Sequence, residues 1–453
     1  MKTDMKERFT TISISRLVLQ LGIPAMFAQF FNILYSITDR IFVGHITGVS
    51  ELALASVGVC APALTAVGAF ASLIGIGGAS VMSFSIGRGE QKTAEQTIGT
   101  SLVLLLFVSL FLTVILYLTR KPLLYRLGCS DAMYPYAVAY FETYVLGTVA
   151  ALCGVGMNQF ILAQGFARQG MFSVMVGAIM NTILDPLLIF GLHLGIRGAA
   201  IATVISQFCV MAYVLFFLLY GKHGLALRMD GLHPDLIKRV LTIGCLPFFI
   251  MLFDNLLMIL LNGALRKYGA SMGDRYISCA AVVQSFMILA FYPAQGITTG
   301  CGTLYSYHYG AGNYRKILQV FRSVLLLCGG YMALLLLASQ TVPEIYARLF
   351  VQDVHTIPLA AACIRKYAAG LLGVAIQYAL VDGLTTMGQM RYAMPISFLR
   401  KGLYVLCVLT LPLFFPVEEL FWSATISDCV GAVVTLLCFL FFILPKLKKE
   451  MVQ

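Results

Sequence analysis

Long stretches of this chain contain no Asp, Glu, Lys or Arg. Residues 17–38 form one such run of 22, and 52–87 a run of 36. Others are 96–119, 143–167, 198–221, 276–307 and 323–343, with lengths from 21 to 32. A helix needs about 20 apolar residues to cross ~30 Å of hydrocarbon. The seven runs therefore predict seven membrane-spanning helices. Five further apolar segments are interrupted by a charge or by glycine and proline, near 170–190, 240–262, 359–386, 395–415 and 420–444. The expected total is twelve. Runs this long show no polar–apolar alternation, which excludes β-barrel strands. The second, eighth and tenth segments are long and glycine-rich, so their helices are expected to tilt, bend or project beyond the bilayer.

Composition strengthens this reading. Hydrophobic residues make up 60% of the 453 positions and charged residues 11%, against ~25% charged in a typical soluble domain. Mean hydropathy is +0.89. An ordinary cytoplasmic enzyme, a secreted domain and a disordered chain are all excluded. The net charge of +11 would suggest nucleic acid in a soluble protein. Here it fits cationic loops that fix topology, with the lipid bilayer as partner and no nucleic acid. The 12 cysteines lack metal-ligand spacing and sit mostly in apolar runs, as at Cys60, Cys153, Cys209, Cys279 and Cys438. They read as small buried hydrophobes. Residues 1–16 are polar and charged without a cleavage site, so the first run is expected to be a retained span.

Twelve spans put both termini on one side. The loops near 1–12, 86–95, 164–170, 222–239, 308–317, 387–394 and 446–453 then share that side. They hold 16 Lys and Arg, among them Lys2, Lys6, Arg8, Lys222, Arg228 and Lys448, against nine in the opposite loops. This bias predicts cytoplasmic termini.

The two halves align without a gap at an offset of 223. Pro24 falls on Pro247, Ser83 on Ser306, Gly87 and Gly89 on Gly310 and Gly312, and Gln96 on Gln319. Tyr144 and Gly147 fall on Tyr367 and Gly370, and Gly165 and Arg168 on Gly388 and Arg391. The chain thus reads as an all-α polytopic membrane protein with two pseudo-symmetric lobes of six helices. The expected boundaries are 1–221 for the first lobe, 222–239 for a cytoplasmic linker and 240–453 for the second lobe. Six spans return the chain to its starting side, so the lobes share one orientation and suit alternating access. One chain supplies both lobes, so a monomer suffices.

Across essentially its whole length the chain resembles the multidrug and toxic compound extrusion (MATE) transporters. The resemblance rests on NILYSITDRIFVG at 32–44, SFSIGRGE at 83–90, QGFARQG at 164–170 and NTILDP at 181–186. YPAQG at 292–296 and YHYGAG at 307–312 continue it. Within the family it looks most like the bacterial DinF-related branch that includes Gram-positive multidrug exporters. The resemblance implies a multi-pass protein of the bacterial cell membrane and efflux of bulky, often cationic and aromatic drug-like compounds. A proton or sodium gradient would drive it, with H⁺ or Na⁺ as coupling ion, no cofactor and no ATP. The chain has no GxxxxGK[ST] sequence, and its short loops could not fold an ATPase domain. Gly75–Gly78, GIGG, reads as a close-packing segment. No His/Glu constellation points to an enzyme.

Ionisable residues in apolar spans need an account. Asp185 lies one helical turn after Asn181 and directly before Pro186, whose missing amide frees a nearby carbonyl. Asn181, Asp185 and that carbonyl would form an oxygen-rich site for a proton or Na⁺. The family carries a functional aspartate in the matching setting, and Asp39 matches its first-span partner. Pro24, Pro186 and Pro247 are the expected helix-bending positions. Glu142 could face a cleft and attract a cationic drug, or pair with an arginine such as Arg126. Asp382 is expected to be solvated near the cytoplasmic face, Asp254 to have no indispensable coupling role, and Asp428 has no account. Tyr35, Tyr140, Met157, Met175, Met258, Phe286, Met287 and Tyr378 join Glu142 as candidate drug contacts, through aromatic faces and adaptable thioethers. For each, packing or lipid contact is the competing role. A lipid-linked or polar metabolite is the alternative cargo. Its phosphates would call on Arg365, Lys366, Arg400 and Lys401.

Overall fold

Helices account for all twelve expected spans in the computed structural model, which describes residues 9, 11–46, 50–220, 225, 227, 231, 233–269, 272–350 and 355–450. Lys2, Lys6, Arg8, Lys222 and Arg228 lie outside the described residues, as does much of the expected linker. Among the described residues eleven helices are long and apolar enough to cross a membrane, and a bent pair, taken as one span, makes twelve. No strand occurs among the described residues.

The first three spans are Ile14–Gly44, Ser50–Gly87 and Gln91–Arg126. The fourth consists of Tyr134–Leu146 and Thr148–Ala163, bent by 53°. The fifth, Ala167–Pro186, continues as a π-helix, Leu187–Gly191, and the sixth is Gly195–Tyr220. The seventh to ninth are Pro234–Tyr268, Gly273–Gly310 and Tyr314–Thr341. The tenth is assembled from Thr356–Ala368, Leu371–Gln377, the π-helix Tyr378–Asp382 and Gly383–Thr386. Met390–Phe414 is the eleventh. The twelfth runs from Val417 to Glu450, with a π-helix at Phe439–Ile443. Spans two and eight each have 38 residues, about 57 Å of helix. They exceed the hydrocarbon thickness, as their long runs predict. Large apolar side chains stay exposed on outer faces, among them Phe107, Leu118, Leu334 and Phe441. Such faces suit a multi-pass membrane protein, because lipid covers them.

The fourth span departs from the uncharged run at 143–167. Its helix begins at Tyr134 and ends at Ala163. Glu142 is tolerated inside it because Arg120 of span three pairs with it at 2.5 Å. The run overshoots the helix end because Gly165 turns the chain at φ +84.

The sequence repeat reappears in backbone conformation. Gly89 and Gly312, 223 residues apart, have φ of +81 and +69. Gly165 and Gly388 have +84 and +74. Both members of each pair adopt the left-handed region that side chains disfavour. Gly147 marks the bend of span four, and Gly370 lies directly before the second helix of span ten.

By packing, the chain divides into two compact units. The first contains residues 27–252 with the segment ending at Ile12, and the second contains 13–26 and residues from 253 onward. This division falls inside spans one and seven, whereas the repeat describes six consecutive spans per lobe. Packing at glycine accounts for the difference. In the first unit, a Cβ on Gly244 of span seven would lie 1.7 Å from the Leu73 carbonyl oxygen of span two. A Cβ on Gly77 would lie 2.1 Å from the Val240 carbonyl oxygen. The GIGG segment is thus a backbone-to-backbone contact. In the second unit, Gly300 of span eight approaches the Leu21 carbonyl oxygen, and Cys301 Sγ lies 3.7 Å from the Val18 carbonyl oxygen. Spans one and seven run through Pro24 and Pro247 as continuous helices.

Gly244→Ala is expected to force spans two and seven apart at a cost of about 1–3 kcal/mol. Gly329→Ala, where nothing lies within 4 Å, serves as the control. Thermal melting of the monodisperse gel-filtration peak should show a drop of several degrees for Gly244→Ala and almost none for Gly329→Ala.

Candidate functional site

Asp39, Asn181 and Asp185 come together in the first unit, on spans one and five. All three side chains are buried. The Asn181 side-chain amide donates to Asp185 Oδ1 at 3.2 Å and to the Thr203 hydroxyl of span six at 3.4 Å. Tyr35, one turn before Asp39, meets the Thr203 hydroxyl with its own, and it lies within electrostatic range of both aspartates. Asp39 also lies within electrostatic range of Asp185. Gln207, one turn after Thr203, donates to the Tyr144 hydroxyl at 3.1 Å.

Among the described residues, four buried oxygens around this cluster lack a hydrogen-bond partner: Asp39 Oδ1, Asn181 Oδ1, Asp185 Oδ2 and Gln207 Oε1. Among the described residues, neither aspartate forms an ion pair. Buried polar atoms are nearly always satisfied, and an unpaired carboxylate charge costs several kcal/mol to bury. An all-oxygen set of this kind suits a proton or a hard cation. Pro186 ends the regular part of span five, and the π-helix begins at the next residue. The local loosening of the hydrogen-bond ladder therefore falls beside Asp185.

Thr203, Gln207 and Tyr144 complete the cluster without having been singled out for it from the sequence. A signal exists for the first two. They are spaced i, i+4 in a span whose other residues are nearly all apolar, which puts both on one helical face.

Carboxylates in the second unit are treated differently. Arg400 Nε of span eleven pairs with Asp428 Oδ1 of span twelve at 2.7 Å, with side-chain exposures of 14% and 6%. Gln377 donates to the Asp428 backbone carbonyl at 3.0 Å. Asp428 thus gains its account as half of a buried ion pair. Lys401 pairs with Asp254 of span seven. Asp382 is not freely solvated as expected: it is half-buried in a π-helix and accepts a 2.6 Å hydrogen bond from the Thr298 hydroxyl. Glu142 pairs with Arg120 rather than Arg126, because these two residues face each other across spans three and four.

The candidate drug contacts separate by burial. Tyr140, Met157, Phe286 and Met287 fill hydrophobic cores. Tyr35, Met175 and Tyr378 are half-buried and Met258 is exposed. Tyr378 stacks edge-on against Phe291, with centroids 6.2 Å apart.

Comparison with known proteins relates the chain to transporters. The family model MatE matches residues 24–187 and 248–409. The chain is similar to the multidrug export protein MepA of Staphylococcus haemolyticus (strain JCSC1435), 23% identical over 95% of this chain and 94% of that protein. MepA of Staphylococcus aureus (strain N315) is 20% identical over 96% of each. A solved outward-facing multidrug resistance transporter of the same family superposes with a TM-score of 0.90 at 20% identity, covering 98% of both chains.

Breaking the buried pair in the second unit should cost stability. Arg400→Ala is expected to destabilise by roughly 3–5 kcal/mol, because it strands the Asp428 carboxylate. Replacing both partners with apolar residues, Arg400→Met with Asp428→Leu, should recover most of the loss in the same melting measurement. Equal melting of Arg400→Ala and the unaltered protein would refute a structural role for the pair.

Proposed function

The chain belongs to the MatE family of membrane transporters, and we propose that it is a secondary active multidrug exporter working by proton- or sodium-coupled antiport and alternating access. The cargo class is bulky, often cationic and aromatic compounds. The observation that carries this reading is the group of buried, unpartnered oxygens on Asp39, Asn181, Asp185 and Gln207. A site needing a compensating positive charge, built beside an irregular helix end, is what ion coupling requires.

The mechanism follows from charge. A proton on the aspartate pair, or Na⁺ among the oxygens, removes the cost of burying negative charge and favours the packed first unit. Release restores two nearby negative charges and draws in water, which favours a rearranged first unit. Cargo and ion need not touch. Each need only prefer a different conformation of the same unit, and their affinities are then reciprocally linked. Pro24, Pro186 and Pro247 are the positions at which helices would bend.

The naming of the staphylococcal relatives for multidrug export supports the cargo class. A lipid-linked, phosphate-bearing cargo is less favoured, because the basic residues it would use already have carboxylate partners. Arg365 lies 3.9 Å from Glu344 and Lys366 2.8 Å from Glu419, while Arg400 and Lys401 face Asp428 and Asp254. Tyr35, Met175, Met258 and Tyr378 are the drug contacts favoured by partial exposure.

Transport in sealed proteoliposomes tests the proposal, with ΔpH and a sodium gradient imposed separately and ethidium as the first cargo. Asp185→Asn should keep the fold but lose most gradient-driven flux at equal incorporation, since asparagine keeps the shape without the charge. Asp39→Asn should resemble it, and the double variant should be less than additive. Wild-type flux in Asp185→Asn with unchanged ion dependence would remove that residue from the mechanism.

Cytoplasmic termini form part of the same proposal. A cysteine introduced at Lys448 should resist membrane-impermeant maleimide in intact cells and react after the membrane is opened. Labelling in intact cells would reverse the orientation.

A further inference from the structure

Two neighbouring basic residues on span eleven make two different ion pairs. The Arg400–Asp428 pair is closed, with the carboxylate 6% exposed and its backbone carbonyl accepting from Gln377. The Lys401–Asp254 pair is lopsided: the lysine side chain is 14% exposed and the aspartate 56%. One residue earlier on span seven, Phe253 packs edge-on against Phe398, with centroids 5.6 Å apart. Spans seven and eleven therefore meet here through an aromatic contact and an ion pair.

Both charged residues lie far from their helix ends. Asp254 is about 30 Å along its helix from Pro234 and about 21 Å from Tyr268. Lys401 lies about 17 Å from Met390 and about 20 Å from Phe414. A half-exposed carboxylate at such depth is sustained where water reaches it, not where hydrocarbon covers it. The pair thus presents an accessible anion whose partner is a tethered, largely covered ammonium.

We propose that Lys401 is a specificity-determining residue: its ammonium occupies Asp254, and an organic cation gains that carboxylate only by displacing it. The cargo class rests on the export reading above. A weakly hydrated organic cation with an aromatic surface is favoured over an inorganic ion. It can add contacts with neighbouring aromatic rings to its attraction for the carboxylate, whereas a small strongly hydrated ion must be dehydrated to compete with a group already in place. The lysine therefore sets a threshold of affinity. Its long aliphatic stem lets the ammonium swing away while span eleven stays in register. Arg400 cannot act in this way, because its partner is enclosed.

Equilibrium binding of tetraphenylphosphonium to purified protein in nanodiscs, without any gradient, tests this. Lys401→Gln removes the competing charge and should tighten binding roughly 2- to 5-fold, the range expected for releasing a partly exposed ion pair. Lys401→Arg keeps the charge and should not tighten it. The gain should vanish in Lys401→Gln combined with Asp254→Asn. In the unaltered protein, saturating tetraphenylphosphonium should raise acetylation of Lys401 by acetic anhydride, read by mass spectrometry. This second readout does not depend on how any variant folds. Unchanged affinity in Lys401→Gln, a gain that survives Asp254→Asn, or acetylation that does not rise would each overturn the proposal. Gradient-driven flux is scored separately. Lost flux with an intact Lys401→Gln effect would count against the export reading alone, and normal flux without that effect would count against this inference alone.

Discussion

The cost of placing a carboxylate in a medium without water organises both units of this protein. A single unpaired charge buried there would consume much of the stability that a domain ordinarily retains. The second unit meets that constraint at Asp428 with the Arg400 guanidinium and at Asp382 with the Thr298 hydroxyl, while the more exposed Asp254 pairs with Lys401. The first unit does so at Glu142, which Arg120 pairs, but not at Asp39 and Asp185. Asp185 accepts from the Asn181 amide and Asp39 lies within electrostatic range of Arg40, yet among the described residues neither forms an ion pair and each keeps an oxygen without a hydrogen-bond partner. Asp428 is thus neutralised within the protein, whereas Asp39 and Asp185 form no ion pair among the described residues.

That asymmetry sits on a symmetric frame. The left-handed glycines at 89 and 312, and at 165 and 388, end corresponding helices in each half. The breaks beside Gly147 and Gly370 interrupt corresponding spans. Chemistry diverges where geometry repeats. The NxxxDP segment has no counterpart at the repeat offset, and the Arg400–Lys401 pair has none in the first half. A duplicated scaffold can thus hold carboxylates without an ion pair, Asp39 and Asp185, in one half and ion-paired ones, Asp254 and Asp428, in the other.

Much of this was legible in the chain. Span number, helical class and the repeat followed from uncharged runs and spaced glycines, because a bilayer imposes length and polarity limits that few segments can meet. Asn181 and Asp185 were legible because i, i+4 spacing fixes a shared face. Their contact with Thr203, and the pairings of Glu142 with Arg120 and Asp428 with Arg400, depend on which helices become neighbours. No local pattern encodes that. The start of span four was missed for a related reason: an isolated charge looks like a boundary until its partner on another helix is known. The expectation for Asp382 erred because nearness to a span end says nothing about the neighbouring span that supplies Thr298.

Spans one and seven each contribute their two halves to different units, and this has a consequence for biosynthesis. Residues 13–26 leave the ribosome long before any of the helices they pack against. They must wait in the membrane while more than two hundred further residues are made. The first unit is likewise incomplete until residues 234–252 emerge, since Gly244 fills the space beside Leu73. Neither unit can finish folding as its six spans are delivered. Insertion and final packing are therefore separate events, and the early half of span one is the segment most in need of protection during the interval between them.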